Sequence, residues 1–105
     1  MIPVTITLDK VRHIRYPWRA IVDAEHEAKR GLNFILMSGS IEYTILMLWA
    51  GLKSEDPGLT IDQTGDLIEK YLDDGKSLEE LTNAIREGLE KGGWVKQSPE
   101  AKVGG

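Results

Sequence analysis

The chain contains no cysteine. That excludes a disulfide framework, a thiolate metal site and a cysteine nucleophile, and it suits a reducing, intracellular setting. Histidine is scarce, with only His13 and His26. Neither stands in an HExxH arrangement, and neither a GxxxxGK[ST] phosphate loop nor a GxGxxG fingerprint occurs. Long apolar runs are missing too. The longest, Ile45 to Leu52, falls far short of the ~20 residues needed to span a bilayer. Positive charge is in deficit, 13 Lys and Arg against 17 Asp and Glu. The resulting net charge of −4 opposes non-specific attraction to nucleic acid or anionic lipid. The N-terminal Met1-Ile2-Pro3-Val4-Thr5 lacks the basic-then-apolar order of a signal peptide. These absences favour a soluble, unsecreted protein with no membrane and no nucleic-acid partner.

What is present suits a single folded domain. A chain of 105 residues with 41% apolar content can bury a core of its own. Residues 1–95 read as one domain and 96–105 as a flexible tail, because after Trp94 little remains to bury. Val4, Ile6 and Leu8 alternate with Thr5 and Thr7, and Arg12, Ile14 and Tyr16 alternate with Val11, His13 and Arg15. Joined by Asp9-Lys10, these segments predict a β-hairpin across 4–16.

Pro17 suits the start of a helix that places Trp18, Ile21, Val22, Glu25 and Ala28 on one face and stops near Gly31. Residues 32–37 are an apolar run, a helical turn or a packed connection. Ser40 caps a helix whose face is Ile41, Ile45, Leu48, Trp49 and Leu52, while Tyr43, Leu46, Met47 and Ala50 make its other sides apolar too. Such a helix is either central to a core or half covered by a partner. Thr60 with Gln63, and Ser77 with Glu80, are capping boxes opening two more helices, ended by Asp73-Asp74-Gly75 and Gly92-Gly93. Gly65 and Gly88 inside them suggest close helix contacts. The expected fold is mainly α (α+β): an N-terminal β-hairpin packed on about four helices.

The chemistry is sparse. His26 follows Asp23 by three residues and could pair with it on a helix surface. The acidic stretch Asp56 to Asp74 lacks a calcium-loop ligand pattern, since Pro57 and Leu59 interrupt it and Thr60 opens a helix. Lys10, Arg12, Arg15 and Arg19, interleaved with Tyr16 and Trp18, form a combination that can bind single-stranded nucleic acid. The simpler reading makes Tyr16 and Trp18 core residues at a strand-to-helix junction. Charge is uneven: residues 1–30 carry a local +2 and residues 31–105 a local −6. That asymmetry could steer association between identical copies, although two solvated faces explain it more simply. The expectation is no enzyme, no cofactor and no metal. The surplus of apolar positions in 32–37 and the central helix suggests a protein interface.

The order of a hairpin ending Arg12-His13-Ile14-Arg15-Tyr16, a helix, Leu46-Met47-Leu48-Trp49-Ala50-Gly51-Leu52-Lys53, then Glu55-Asp56-Pro57-Gly58-Leu59-Thr60 and a helix ending Leu67-Ile68, resembles the tail assembly chaperones of long-tailed bacteriophages, prophages and gene transfer agents. The likeness spans roughly residues 4–72 and is most specific from Leu48 to Thr60. It implies a cytoplasmic virion-assembly factor in the bacterial host that is not part of the mature virion. Such a factor binds and solubilises the tape-measure protein and helps recruit tail-tube protein. Many such genes also yield a longer product by translational frameshifting. Self-association along an extended client would add avidity. The residues expected to contact the client or another copy are Leu36, Ile45, Trp49 and Leu52. The alternatives are a small structural or adaptor subunit of a virion tail, and a nucleic-acid-binding regulator using residues 10–19.

Overall fold

A computed structural model describes residues 4–96. Strands β1 (Val4–Thr7) and β2 (Val11–Ile14) pair antiparallel, with Val4 opposite Ile14 and Thr7 opposite Val11. Alternation turns Val4, Ile6, Leu8, Ile14 and Tyr16 into the core. The three-residue loop has little turn propensity of its own. Its geometry is held by Asp9, whose carboxylate accepts from Arg12 Nε at 2.8 Å and Nη2 at 3.0 Å. The expected hairpin is therefore present, with Arg12 on its inner face and 5% exposed.

Five helices follow: α1 (Trp18–Ala28), α2 (Leu32–Ser38), α3 (Ile41–Leu52), α4 (Ile61–Asp73) and α5 (Leu78–Lys91). The fold is mainly α with an N-terminal hairpin, and the apolar run at 32–37 supplies one helix more than the sequence pattern distinguishes. It is a helix of seven residues, opened by Gly31 and closed by Gly39 in the left-handed conformation, φ 65°. Too few residues lie between those glycines for a periodic pattern to emerge. Consequently α1 ends earlier than Gly31. Lys29 adopts the left-handed conformation, φ 57°, and its N–H reaches Glu25 O.

Both capping boxes are formed. Thr60 accepts from Gln63 N–H and Ser77 from Glu80 N–H, with the reciprocal side-chain bonds in place, and Ser40 caps α3 through Tyr43 N–H.

Helix α3 is the axis of the molecule. It packs against β2 and against each of the other four helices. The hairpin lies across α3 and α5, tied by Arg15 N–H to Gly51 O at 2.9 Å and by the Tyr16 hydroxyl, which donates to Met47 O at 2.7 Å. Close approach there depends on missing side chains. A Cβ at Gly51 would lie 2.8 Å from Ile14 Cγ2 and 2.9 Å from Tyr16 Cζ; one at Gly88 would lie 3.1 Å from both residues. Gly88 thus marks a helix–hairpin contact, whereas Gly65 has only Ile45 Cδ1 nearby, at 3.9 Å.

The α1 face differs from the expected one. Its buried residues are Ala20, Ile21 and Ala24, while Trp18 is 59% and Val22 47% exposed. Trp18 is therefore not a core residue. Small alanines let α1 lie close on α3, and that packing turns the bulky side chains outward. Of the expected tail, 96–105, all but Lys96 lies outside the described residues.

Candidate protein-binding surface

The four residues expected to meet a partner divide into two pairs. Leu52 has no exposed surface and Trp49 retains 8%. Trp49 donates its indole N–H to Leu59 O at 2.9 Å, and Lys53 Nζ lies 4.4 Å from its ring centroid while pairing with Asp23 at 2.8 Å. Both side chains are interior groups in this fold and present little surface to a client, unlike the exposed contacts expected of them. The apolar circumference of α3 from Leu46 to Leu52 is covered by the rest of the fold. Leu36 and Ile45 are half-buried. They do not converge on one site: Ile45 reaches toward Gly65 of α4, whereas Leu36 lines a groove bounded by α5.

One exposed apolar surface lies at the other end of α3. Phe34 is 50%, Met37 87% and Ile41 54% exposed, on either side of the Gly39-Ser40 junction. The Phe34 and Tyr43 rings meet edge to face at 6.3 Å between centroids, and the Arg30 guanidinium lies 4.7 Å from the Phe34 centroid. Behind them opens a groove of about 290 Å³ whose apolar walls include Leu36, Tyr43, Met47, Ile85, Leu89 and Val95. Thr82, Asn83 and Arg86 of α5 line its polar side, and Arg86 is joined to Glu90 at 3.2 Å. A groove with apolar walls and a polar margin suits an aliphatic or aromatic side chain from an amphipathic segment.

Sequence patterning marked the 32–37 run and the central helix as surplus apolar surface, but did not pick Phe34, Met37 or Ile41 as the contact residues. For Phe34 and Met37 the signal is the brevity of the 32–38 segment between two glycines. One apolar side of such a helix can face the core, as Ile35 does at 2% exposure, and the remainder must face outward.

The other singled-out groups have structural partners. Arg12 is joined to Asp9 and also to Asp56 Oδ2 at 3.2 Å. Its hydrogen bond holds the Asp9 carboxyl below the ordinary aspartate range. Tyr16 is fully buried, and burial pushes its phenol pKa upward. Arg12 and Tyr16 are thus withdrawn from any basic-aromatic surface. His13 Nδ1 lies 2.7 Å from Glu55 Oε2, and its backbone N–H donates to Glu55 Oε1 at 3.1 Å. These contacts hold the Glu55 carboxyl below the ordinary glutamate range. Asp23, which the spacing allowed to pair with His26, is joined to Lys53. Among the described residues, no group of three or more His, Asp or Glu is placed to hold a metal ion. Nor is any described helix long and apolar enough to cross a membrane.

No protein-family model, curated protein or solved structure matches the chain.

Proposed function

We propose that the chain is a tail assembly chaperone of a long-tailed bacteriophage, prophage or gene transfer agent. In this reading it acts in the bacterial cytoplasm, covers apolar segments of the tape-measure protein, and helps recruit tail-tube subunits. It then stays out of the finished particle. One observation carries the reading: the corner between α2 and α3, where Phe34, Met37 and Ile41 stand exposed beside the apolar groove. A protein with a built core has no need of those exposed side chains for its own stability, and exposed apolar side chains are where a client would dock.

The segment that bears the family resemblance, Leu48 to Thr60, has a different role. Trp49 holds the Leu59 carbonyl, Asp56 meets Arg12 and Glu55 meets His13, so these residues fasten the α3–α4 turn to the hairpin. It is a folding element; the client surface in this proposal lies outside it.

The test is co-expression with the tape-measure protein encoded beside it. The reading expects that client to become soluble and to copurify with several copies of this chain. A client that remains insoluble, with none of this chain bound, would remove the proposal. Recovery of the chain from purified particles by mass spectrometry would favour a structural or adaptor subunit instead.

A further inference from the structure

The outer side of α1 is a second surface, independent of the chaperone reading. Trp18 and Val22 are 59% and 47% exposed and stand one helical turn apart. Arg19 and His26, both exposed, share that side, and exposed Lys29 and Arg30 follow at its C-terminal end. The Arg19 guanidinium lies 4.6 Å from the Trp18 ring centroid.

The acids on the same helix offset these cations only in part. Asp23 is engaged with Lys53. Glu25 accepts the Leu32 backbone N–H at 2.8 Å, which ties it to the start of α2. A hydrogen bond from a neutral N–H leaves Glu25 its charge, so Glu25 and Glu27 stand against three permanent cations, Arg19, Lys29 and Arg30. A chain of net charge −4 therefore keeps a small positive excess here, with Arg19 and Lys29 near the exposed apolar pair.

We propose that this face of α1 docks an acidic amphipathic helix of another protein. The partner would present aliphatic side chains one turn apart to Trp18 and Val22, with Asp or Glu on its flanks to meet Arg19 and Lys29. Side chains one turn apart on a helix are about 5–6 Å apart, so two helices can match anchors in register. The cations steer the encounter and fix its orientation, while the tryptophan supplies the buried contact area.

A nucleic-acid strand fits the same surface less well. Val22, within the apolar pair, offers neither a charge for phosphate nor a π-face for a base. Tyr16, the other aromatic of this region, is inside. The remaining acidic surface repels a long polyanion more strongly than a short peptide.

The experiment uses the full chain and a labelled synthetic helical peptide with Leu at i and i+4 and Glu on both flanks. A twin peptide with Lys for Glu and a single-stranded DNA oligomer serve as comparisons, all followed by fluorescence anisotropy. Saturable binding of the Glu peptide is expected, weakening as salt rises. Trp18→Ala and Arg19→Glu should each loosen it about tenfold or more. Arg19→Glu with Lys29→Glu should shift preference to the Lys peptide. Val22→Ala provides a milder second variant, and circular dichroism confirms that each variant keeps its helix content. Equal affinity for the two peptides, or indifference to these substitutions, overturns the proposal. So does tighter binding of the DNA, or a dimer that Arg19→Glu abolishes while the Glu peptide fails to bind.

Discussion

Tyr16 and Gly51 form one contact seen from two sides. The tyrosine is completely enclosed, and its hydroxyl would be costly to bury without a partner; Met47 O supplies one at 2.7 Å. The ring can reach that carbonyl because Gly51 has no Cβ to stop it. Alanine at position 51 would place a methyl group 2.9 Å from the ring and 2.8 Å from Ile14 Cγ2, closer than side chains pack. Gly51→Ala should therefore cost about 1–3 kcal/mol, the usual range for overpacking. Tyr16→Phe should cost about 1 kcal/mol for the lost hydrogen bond. Urea denaturation of both variants measures this, and an unchanged midpoint for Gly51→Ala would mean the contact is looser than its geometry. Elsewhere on β2, Arg12 and His13 hold two carboxylates. Asp9 and Glu55 both titrate below their ordinary values of 3.8 and 4.5, chiefly through hydrogen bonds to Arg12 and His13 respectively. A carboxyl with a lowered folded-state pKa adds stability that is fully present above its unfolded value and disappears as pH falls through the folded one. Stability should thus begin to decline as pH drops through the low fours and continue to fall below that. In Asp9→Asn with Glu55→Gln, the acid limb of the stability curve should be shallower. An identical slope would show that these pairs contribute nothing measurable.

Local chemistry decided the elements that could be read directly from the sequence. Thr60 with Gln63 and Ser77 with Glu80 depend only on residues three apart, and both boxes form where the pattern placed them. Thr60→Ala and Ser77→Ala should each lower stability by about 1 kcal/mol, read from the denaturation midpoint. A smaller loss at Ser77 would indicate that α5 is held by Leu81, Ile85 and Leu89 more than by its cap. The hairpin was equally legible, because β-alternation is a local property too. What was not legible depended on packing at a distance. Periodicity gives α1 a stripe, but the choice between Trp18 with Val22 and Ala20 with Ala24 for the core was made by how closely α3 approaches. The same limit applies to Trp49. Its spacing on α3 is compatible with an interface or a core, and only the arrival of Leu59, Lys53 and the α3–α4 turn settles that it is interior. Helix α2 escaped for a different reason: seven residues between two glycines are too few to distinguish a helical period from a packed loop.

At the scale of the whole molecule, the core and the proposed client surface share α3 but occupy different halves of it. From Leu46 onward the helix is enclosed, whereas Ile41 and the α2 residues Phe34 and Met37 remain outside. This division makes stability and binding separable by mutation. Trp49→Ala would delete a large interior side chain and strand the Leu59 carbonyl, with an expected cost of about 3–5 kcal/mol. Loss of client binding in that variant would therefore report unfolding and say little about contact. Met37→Lys combined with Ile41→Lys alters side chains that are 87% and 54% exposed. Exposed substitutions usually change stability by less than about 0.5 kcal/mol each, so the pair should melt close to the parent protein. If the α2–α3 corner covers the tape-measure protein, two added cations there should abolish copurification while the variant remains folded. The decisive comparison is the soluble client yield from co-expression beside the denaturation midpoint of the variant alone. A folded Met37→Lys, Ile41→Lys protein that still recovers the client in full would place the client contact elsewhere on the chain. In that case the groove lined by Leu36 and Ile85, rather than its exposed rim, would be the next surface to alter.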